Sequence, residues 1–115
     1  MTNIVNYFEV GSADPDAAAG FYSELFGWTV GADGPHGYRM IDGDKGGIMN
    51  TGPLGGGAWA IFYVLVEDVD TTVERAAALG ASVVLPKTPM GQGSFAHLAD
   101  PQGNRIGVWQ MSSHD

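Results

Sequence analysis

YFEVGSADPDAAAGFYSELFGW, residues 7–28, contains the end of a strand and the helix that follows it. The segment Ile4–Val10 is rich in β-branched and aromatic residues, which predicts a strand. Asp14 is a favourable N-cap and Pro15 fits the first helical position, so a helix is expected to begin here. Gly27 supplies the left-handed residue that commonly ends a helix. The stretch therefore predicts a strand joined to a helix by a short loop.

The same order of elements recurs later in the chain. Trp59–Val66 predicts a strand, and the helix after it ends at Gly80. The landmarks Val10 and Val66 lie 56 positions apart (66 − 10), close to the spacing of other equivalent landmarks. Three further strands are predicted in each half: Trp28–Val30, Gly37–Ile41 and Gly46–Asn50, then Ala81–Leu85, Ser94–Ala99 and Asn104–Met111. We therefore expect a single α+β domain with two βαβββ modules, residues 1–54 and 58–115, joined by the linker TGPLGGG.

Composition excludes several classes of function. The chain has 13 acidic residues against 5 Lys and Arg, a net charge of −8, which disfavours nucleic acid or an anionic membrane as a partner. Cysteine is absent, so disulfides, thiolate metal sites and a cysteine nucleophile are excluded. The N-terminus lacks the pattern of a signal peptide, and no apolar run approaches the roughly 20 residues that span a bilayer. A cytoplasmic protein is expected.

Three stretches carry a family resemblance: residues 7–28 above, FYVLVEDVDTTVERAAALGASV at 62–83, and FAHLADPQGNRIGVWQ at 95–110. Together they resemble the vicinal oxygen chelate superfamily, which includes glyoxalases, extradiol dioxygenases, fosfomycin-resistance enzymes and bleomycin-binding proteins. The resemblance implies two modules that curl mixed, mostly antiparallel sheets around a shared cavity. It also implies frequent dimerisation, so a homodimer is expected.

Metal-dependent members of this superfamily hold the metal on the first and last strands of each module. The resemblance maps those positions to Val5, Gly47, Ile61 and Gly107. None of these residues offers a lone pair, and a shift by one residue adds only Asn6. The three histidines show no His-x-His or related ligand spacing. We therefore expect no metal and no other cofactor.

The alternation of side chains along a strand predicts which residues face the implied cavity. Positions two apart along a strand share a face with the four mapped positions. This set comprises Tyr7, Glu9, Met49, Tyr63, Trp109 and Met111. Aromatic rings with one carboxylate suit a flat apolar or cationic organic molecule. The alternative is that these residues only fill the core of a small domain.

Two details refine this prediction. Tyr7 and Tyr63 each precede by three positions the valine that ends the first strand of their module, so they are expected at equivalent places. Gly47 and Gly107 lie within predicted strands, where a missing side chain leaves room for a close approach.

Glu9 and His97 are the candidate catalytic residues. A buried carboxylate needs a partner, and Glu9 could bond a tyrosine hydroxyl or pair with His97, Arg39 or Arg105. It could instead act as a general base with His97 as its partner.

The sequence thus leaves three functions open. The first is a metal-independent protein of the bleomycin-resistance type that sequesters an aromatic or cationic ligand. The alternative is a glyoxalase-like lyase or isomerase, metal-free or with a non-standard metal site. The third is a module that acts through protein contacts alone.

Overall fold

The computed structural model describes residues 2–112, so the end of the predicted second module, 113–115, lies outside it. The strands are β1 Ile4–Ser12, β2 Arg39–Ile41, β3 Gly46–Asn50, β4 Trp59–Leu65, β5 Ser82–Met90, β6 Gly93–Ala99 and β7 Arg105–Met111. The helices are α1 Pro15–Phe26 and α2 Val69–Ala78, with short 3-10 helices at Pro35–Gly37 and Gly52–Leu54. The predicted α+β class is confirmed. Neither α-helix has the length or the apolar character to cross a bilayer, and residues 2–112 contain no other α-helix.

The described residues form two compact units, which are residues 7–61 (the first unit) and residues 2–6 with 62–112 (the second unit). In the first unit β3 pairs in parallel with β1 and antiparallel with β2, and Glu9 lies opposite Gly47. In the second unit β7 pairs in parallel with β4 and antiparallel with β6, and Tyr63 lies opposite Gly107. Strand β5 completes the second unit against β6. In each unit, therefore, the strand before the helix pairs in parallel with the last strand after the helix.

Side-chain caps begin both helices. The Asp14 carboxylate accepts a hydrogen bond from the Ala17 amide at 3.2 Å, and Asp68 caps α2 in the same way. At the other end of α1, Gly27 has φ 73° and its amide donates to the Ser23 carbonyl at 2.8 Å. The hydrogen bond from this left-handed residue satisfies a backbone carbonyl that has no donor within the helix. The helix boundaries that the sequence predicts for α1 are confirmed.

Each helix covers one face of its own unit. In the second unit, α2 places Val69 on a core that includes Ala96, Leu98 and Val108. In the first unit the ring of Phe8 packs against Trp28, with centroids 5.4 Å apart, and Trp28 stacks on Tyr22 of α1. Since strand residues alternate between faces, the neighbours of Phe8 and Val108 in sequence lie on the opposite, helix-free face.

The predicted strands differ from the structure most clearly at three places. The segment Trp28–Val30 makes only an isolated bridge from Val30 to Ile41, so the first unit lacks a full third strand. Strand β2 begins at Arg39 because a 3-10 helix occupies the preceding residues. Strand β5, which the sequence predicts to end at Leu85, continues through Pro86 to Met90. Among the described strands only β6 pairs with β5, and the pairing shifts register around the proline. Its missing amide hydrogen therefore disrupts no second ladder of described strands.

Candidate functional site

A hydrogen-bonded network surrounds Glu9 on the helix-free face of the first unit. It comprises Tyr7, Glu9, Tyr38 and Trp59, and we call it the Glu9 network. Glu9 is only 1% exposed, and its carboxylate accepts from the Tyr38 hydroxyl at 3.1 Å and from Trp59 Nε1 at 3.0 Å. The Tyr7 and Tyr38 hydroxyl oxygens lie 2.7 Å apart. Either hydroxyl can be the donor of this bond.

A second network lies on the helix-free face of the second unit. It comprises Tyr63, His97 and Arg105, and we call it the His97 network. The Tyr63 hydroxyl lies 2.6 Å from His97 Nε2, and Arg105 Nε donates to His97 Nδ1 at 3.0 Å. Tyr63 is 1% exposed and His97 is fully buried. The ring of Phe95 packs against both, at centroid distances of 6.2 and 5.6 Å. Burial of these polar groups is compensated by the bonds between them.

Glycine makes both networks possible. A Cβ atom on Gly107 would lie 2.6 Å from the Tyr63 ring, and a Cβ atom on Gly47 would overlap the Tyr38 ring. Gly107 is opposite both Tyr63 on β4 and His97 on β6. The ring of Tyr63 therefore crosses β7 over the glycine to reach His97. The close approach that these glycines predict is confirmed, and tyrosine rings of the chain itself make it.

Strand register corrects one predicted equivalence. Gly47 lies opposite Glu9, and its counterpart Gly107 lies opposite Tyr63. Tyr63 is therefore equivalent to Glu9, and the counterpart of Tyr7, two residues earlier, is Ile61. The predicted equivalence rests on the distance of each tyrosine from the valine at the end of its strand. The loops that follow the two strands differ in length, so these valines are not equivalent positions.

The metal positions of the superfamily do not fit a metal in this chain. The register moves the first of them from Val5 to Tyr7, so the four positions hold Tyr7, Gly47, Ile61 and Gly107. Only Tyr7 has an oxygen there. Burial raises the pKa of Tyr7 to about 12, the Tyr38 hydrogen bond opposes this, and the charge of Glu9 adds to it. The phenolate that would bind a metal is therefore disfavoured. Residues 2–112 bring no three His, Asp or Glu side chains together as a ligand group.

Of the partners considered for Glu9, a tyrosine hydroxyl is confirmed, and the tyrosine is Tyr38. Arg39 forms an ion pair with Asp16 of α1, and Arg105 bonds His97.

The other predicted site residues are more exposed. The indole of Trp109 donates from Nε1 to the Asn6 side chain at 3.0 Å. Met49 is half-buried and Met111 is 63% exposed. Their role toward a ligand stays a prediction.

Sequence reasoning did not single out Tyr38 or the bond from Arg105 to His97, and it gave Trp59 little weight. Tyr38 precedes a short strand, and nothing in the local pattern shows which way its ring turns. The signal in the sequence that could have indicated these contacts is glycine within a strand. Gly47 and Gly11 both mark places where an aromatic ring, Tyr38 and Trp59 respectively, lies against the backbone.

Comparison with known proteins identifies the family. Residues 7–109 match the family described as a glyoxalase-like domain. The chain is 28% identical to CFP32 of Mycobacterium tuberculosis (strain CDC 1551 / Oshkosh), which is provisionally named a glyoxylase, over 95% of the chain and 46% of that protein. It is 29% identical to the anthracycline biosynthesis protein DnrV of Streptomyces peucetius, over 90% of the chain and 46% of that protein. The chain thus spans about half the length of the curated relatives it matches.

The fold also matches solved structures. The Mn(II)-bound glyoxalase from Novosphingobium aromaticivorans superposes with a TM-score of 0.64 at 14% identity, over 99% of this chain and 42% of that one. A likeness at this identity shows the fold alone. Because the family match extends over residues 7–109, the chain belongs to the glyoxalase-like domain family of the vicinal oxygen chelate superfamily.

Proposed function

We propose that this chain is a metal-independent small-molecule-binding protein that sequesters an aromatic or cationic organic ligand. The observation that carries the proposal is that the helix-free face of each unit bears a tyrosine hydroxyl bonded to an ionisable side chain. The half-buried Tyr38 bonds Glu9 and the buried Tyr63 bonds His97. The residues proposed for ligand contact are Tyr7, Glu9 and Met49 in the first unit and Tyr63, Trp109 and Met111 in the second.

The chemistry of these residues supports that ligand class. Indole and phenol rings attract flat apolar molecules and cations through their faces. Glu9 adds a carboxylate that favours a cationic group. The relative DnrV is named for anthracyclines, which are planar aromatic molecules with an amino sugar. An anthracycline is therefore a suitable probe, because it combines both features.

The first experiment is a titration of daunorubicin into the protein, followed by quenching of its own fluorescence and by calorimetry. We expect saturable binding and recovery of unchanged daunorubicin. Trp109→Ala should weaken binding about 10-fold or more, as loss of a buried aromatic contact does. Tyr63→Phe should weaken it less, because the ring remains.

Phe62→Ala is the matched control. Phe62 is next to Tyr63 on β4, is 44% exposed and faces the opposite side of the strand. Its binding should equal that of the wild type. If Trp109→Ala and Phe62→Ala bind alike, the assignment of the helix-free face is wrong. If neither daunorubicin nor bleomycin binds, the proposed ligand class is wrong.

A glyoxalase-like lyase or isomerase activity is the second candidate. The 2.6 Å contact between the Tyr63 hydroxyl and His97 Nε2 is a geometry used in proton transfer, and CFP32 carries a glyoxylase name. In a metal-free version Glu9 would act as the base that removes a proton from the carbon next to a carbonyl. We expect Glu9→Gln to abolish turnover of the methylglyoxal–glutathione hemithioacetal if this version holds. Full turnover by that variant would exclude Glu9 as the base.

We also propose that the chain forms a homodimer and acts in the cytoplasm. Light scattering after size-exclusion chromatography tests the first point, and a mass of one chain at micromolar concentration would contradict it. Fractionation of the cells that express the protein tests the second.

A further inference from the structure

The direction of the hydrogen bonds in the His97 network follows from the chemistry of Arg105. A guanidinium N–H can only donate, so His97 Nδ1, which lies 3.0 Å from Arg105 Nε, must carry a lone pair. A neutral imidazole without hydrogen on Nδ1 carries it on Nε2. His97 Nε2 lies 2.6 Å from the Tyr63 hydroxyl oxygen. The imidazole therefore donates to Tyr63, and the hydroxyl hydrogen of Tyr63 points away from His97.

We propose that Arg105 is a positioning residue that holds His97 as the Nε2–H tautomer and thereby makes Tyr63 a hydrogen-bond donor toward groups other than His97. The Tyr63–His97 contact alone does not determine this direction. The opposite tautomer would place the same two atoms at the same distance, with Tyr63 donating to Nε2. Arg105 decides between these states because it disfavours hydrogen on Nδ1.

The fold gives Arg105 this position. His97 on β6 lies opposite Gly107, and Arg105 lies two residues earlier on β7, on the same face of the strand. The glycine leaves the space above β7 to the Tyr63 ring, and the arginine approaches the imidazole from its other nitrogen. The three side chains therefore form a chain of donors that runs from Arg105 through His97 to Tyr63.

The Tyr63 hydroxyl therefore accepts a hydrogen bond from His97 Nε2. Its own hydrogen goes to an acceptor other than His97.

The test measures the tautomer by NMR and needs no ligand. The chain has three histidines, so a His36→Gln/His114→Gln background leaves His97 as the only imidazole. Long-range ¹H–¹⁵N correlation spectra at neutral pH distinguish a protonated from an unprotonated ring nitrogen. We expect Nε2 to be protonated and Nδ1 to be unprotonated. A spectrum with hydrogen on Nδ1 would overturn the inference.

Two variants then separate the influence of the two partners. Arg105→Ala should shift the ring toward a mixture that contains the Nδ1–H tautomer, whereas Tyr63→Phe should leave Nε2 protonated. Arg75→Ala removes the same charge from an exposed position on α2 and should change nothing. If Tyr63→Phe switches the tautomer and Arg105→Ala does not, Tyr63 rather than Arg105 controls the ring. Daunorubicin binding is scored separately, so failure to bind would count against the proposed function and leave the tautomer result standing.

Discussion

At the scale of single residues, a missing side chain at Gly107 matters as much as the side chains around it. The Tyr63 ring occupies the volume that a Cβ atom would need, at 2.6 Å, and it cannot move aside without losing its bond to His97. We expect Gly107→Ala to lower the free energy of unfolding by about 1–3 kcal/mol, the usual effect of overpacking. Urea unfolding followed by tryptophan fluorescence measures this change.

Gly20 provides the matched control for that substitution. It lies within α1, and a Cβ atom there would meet no atom within 4 Å apart from its chain neighbours and the backbone of the helix itself. Gly20→Ala should therefore raise the free energy of unfolding by roughly 0.5–1 kcal/mol, because alanine favours the helix. If Gly20→Ala and Gly107→Ala change the free energy of unfolding by the same amount and in the same direction, the Tyr63 ring does not need the space that Gly107 leaves.

Tyr7 should make the stability of the protein depend on pH in the alkaline range. Its pKa is raised from 10.0 to about 12, chiefly by burial. As pH rises between these values, the unfolded chain releases the Tyr7 proton and the folded chain keeps it. The free energy of unfolding therefore falls across this window. Tyr7→Phe should lose less stability over the same range in urea titrations, and an unchanged alkaline loss would contradict the burial of this hydroxyl.

At the scale of elements, the cap of α2 predicts the opposite dependence on pH. The Thr71 hydroxyl and then the Thr71 amide lower the pKa of the Asp68 carboxyl below 3.8. Its contribution to stability is present above that value and is lost as pH falls through the lowered pKa. Asp68→Asn should thus lose less stability than the wild type between neutral pH and about pH 3, since asparagine also caps helices.

Thermal unfolding monitored by circular dichroism measures this difference. Glu74→Gln removes one negative charge from an exposed position on α2 and should retain the acid sensitivity of the wild type. If Asp68→Asn and Glu74→Gln behave alike, the acid sensitivity reflects net charge rather than the cap.

The elements show which signals in the sequence are local. The boundaries of α1 could be predicted because Asp14, Pro15 and Gly27 act within one turn of the helix. The limits of β5 could not, because Pro86 ends a central strand but is tolerated at an edge, and edge position is a property of the sheet. The same holds for Trp28–Val30, whose pairing depends on a partner strand that is only three residues long.

At the scale of the whole molecule, the family and the repeated order of strand, helix and strands could be predicted from the sequence, and the two networks could not. Alternation correctly placed Tyr7, Glu9 and Tyr63 on helix-free faces. It could not show that Tyr38 would reach Glu9 or that Arg105 would reach His97, because side-chain direction over a glycine depends on strand register. Register also corrected the mapped metal position from Val5 to Tyr7.

The proposed function requires that this member of the glyoxalase-like domain family bind an organic molecule without a metal. The most direct test is to titrate daunorubicin into the protein before and after exhaustive chelation, with residual metal measured by mass spectrometry. We expect saturable binding with the same Kd in both preparations, and no effect of added Mn²⁺, Ni²⁺ or Zn²⁺ on Kd or thermal stability. Binding that is lost on chelation and restored by one of these ions would contradict the proposed function.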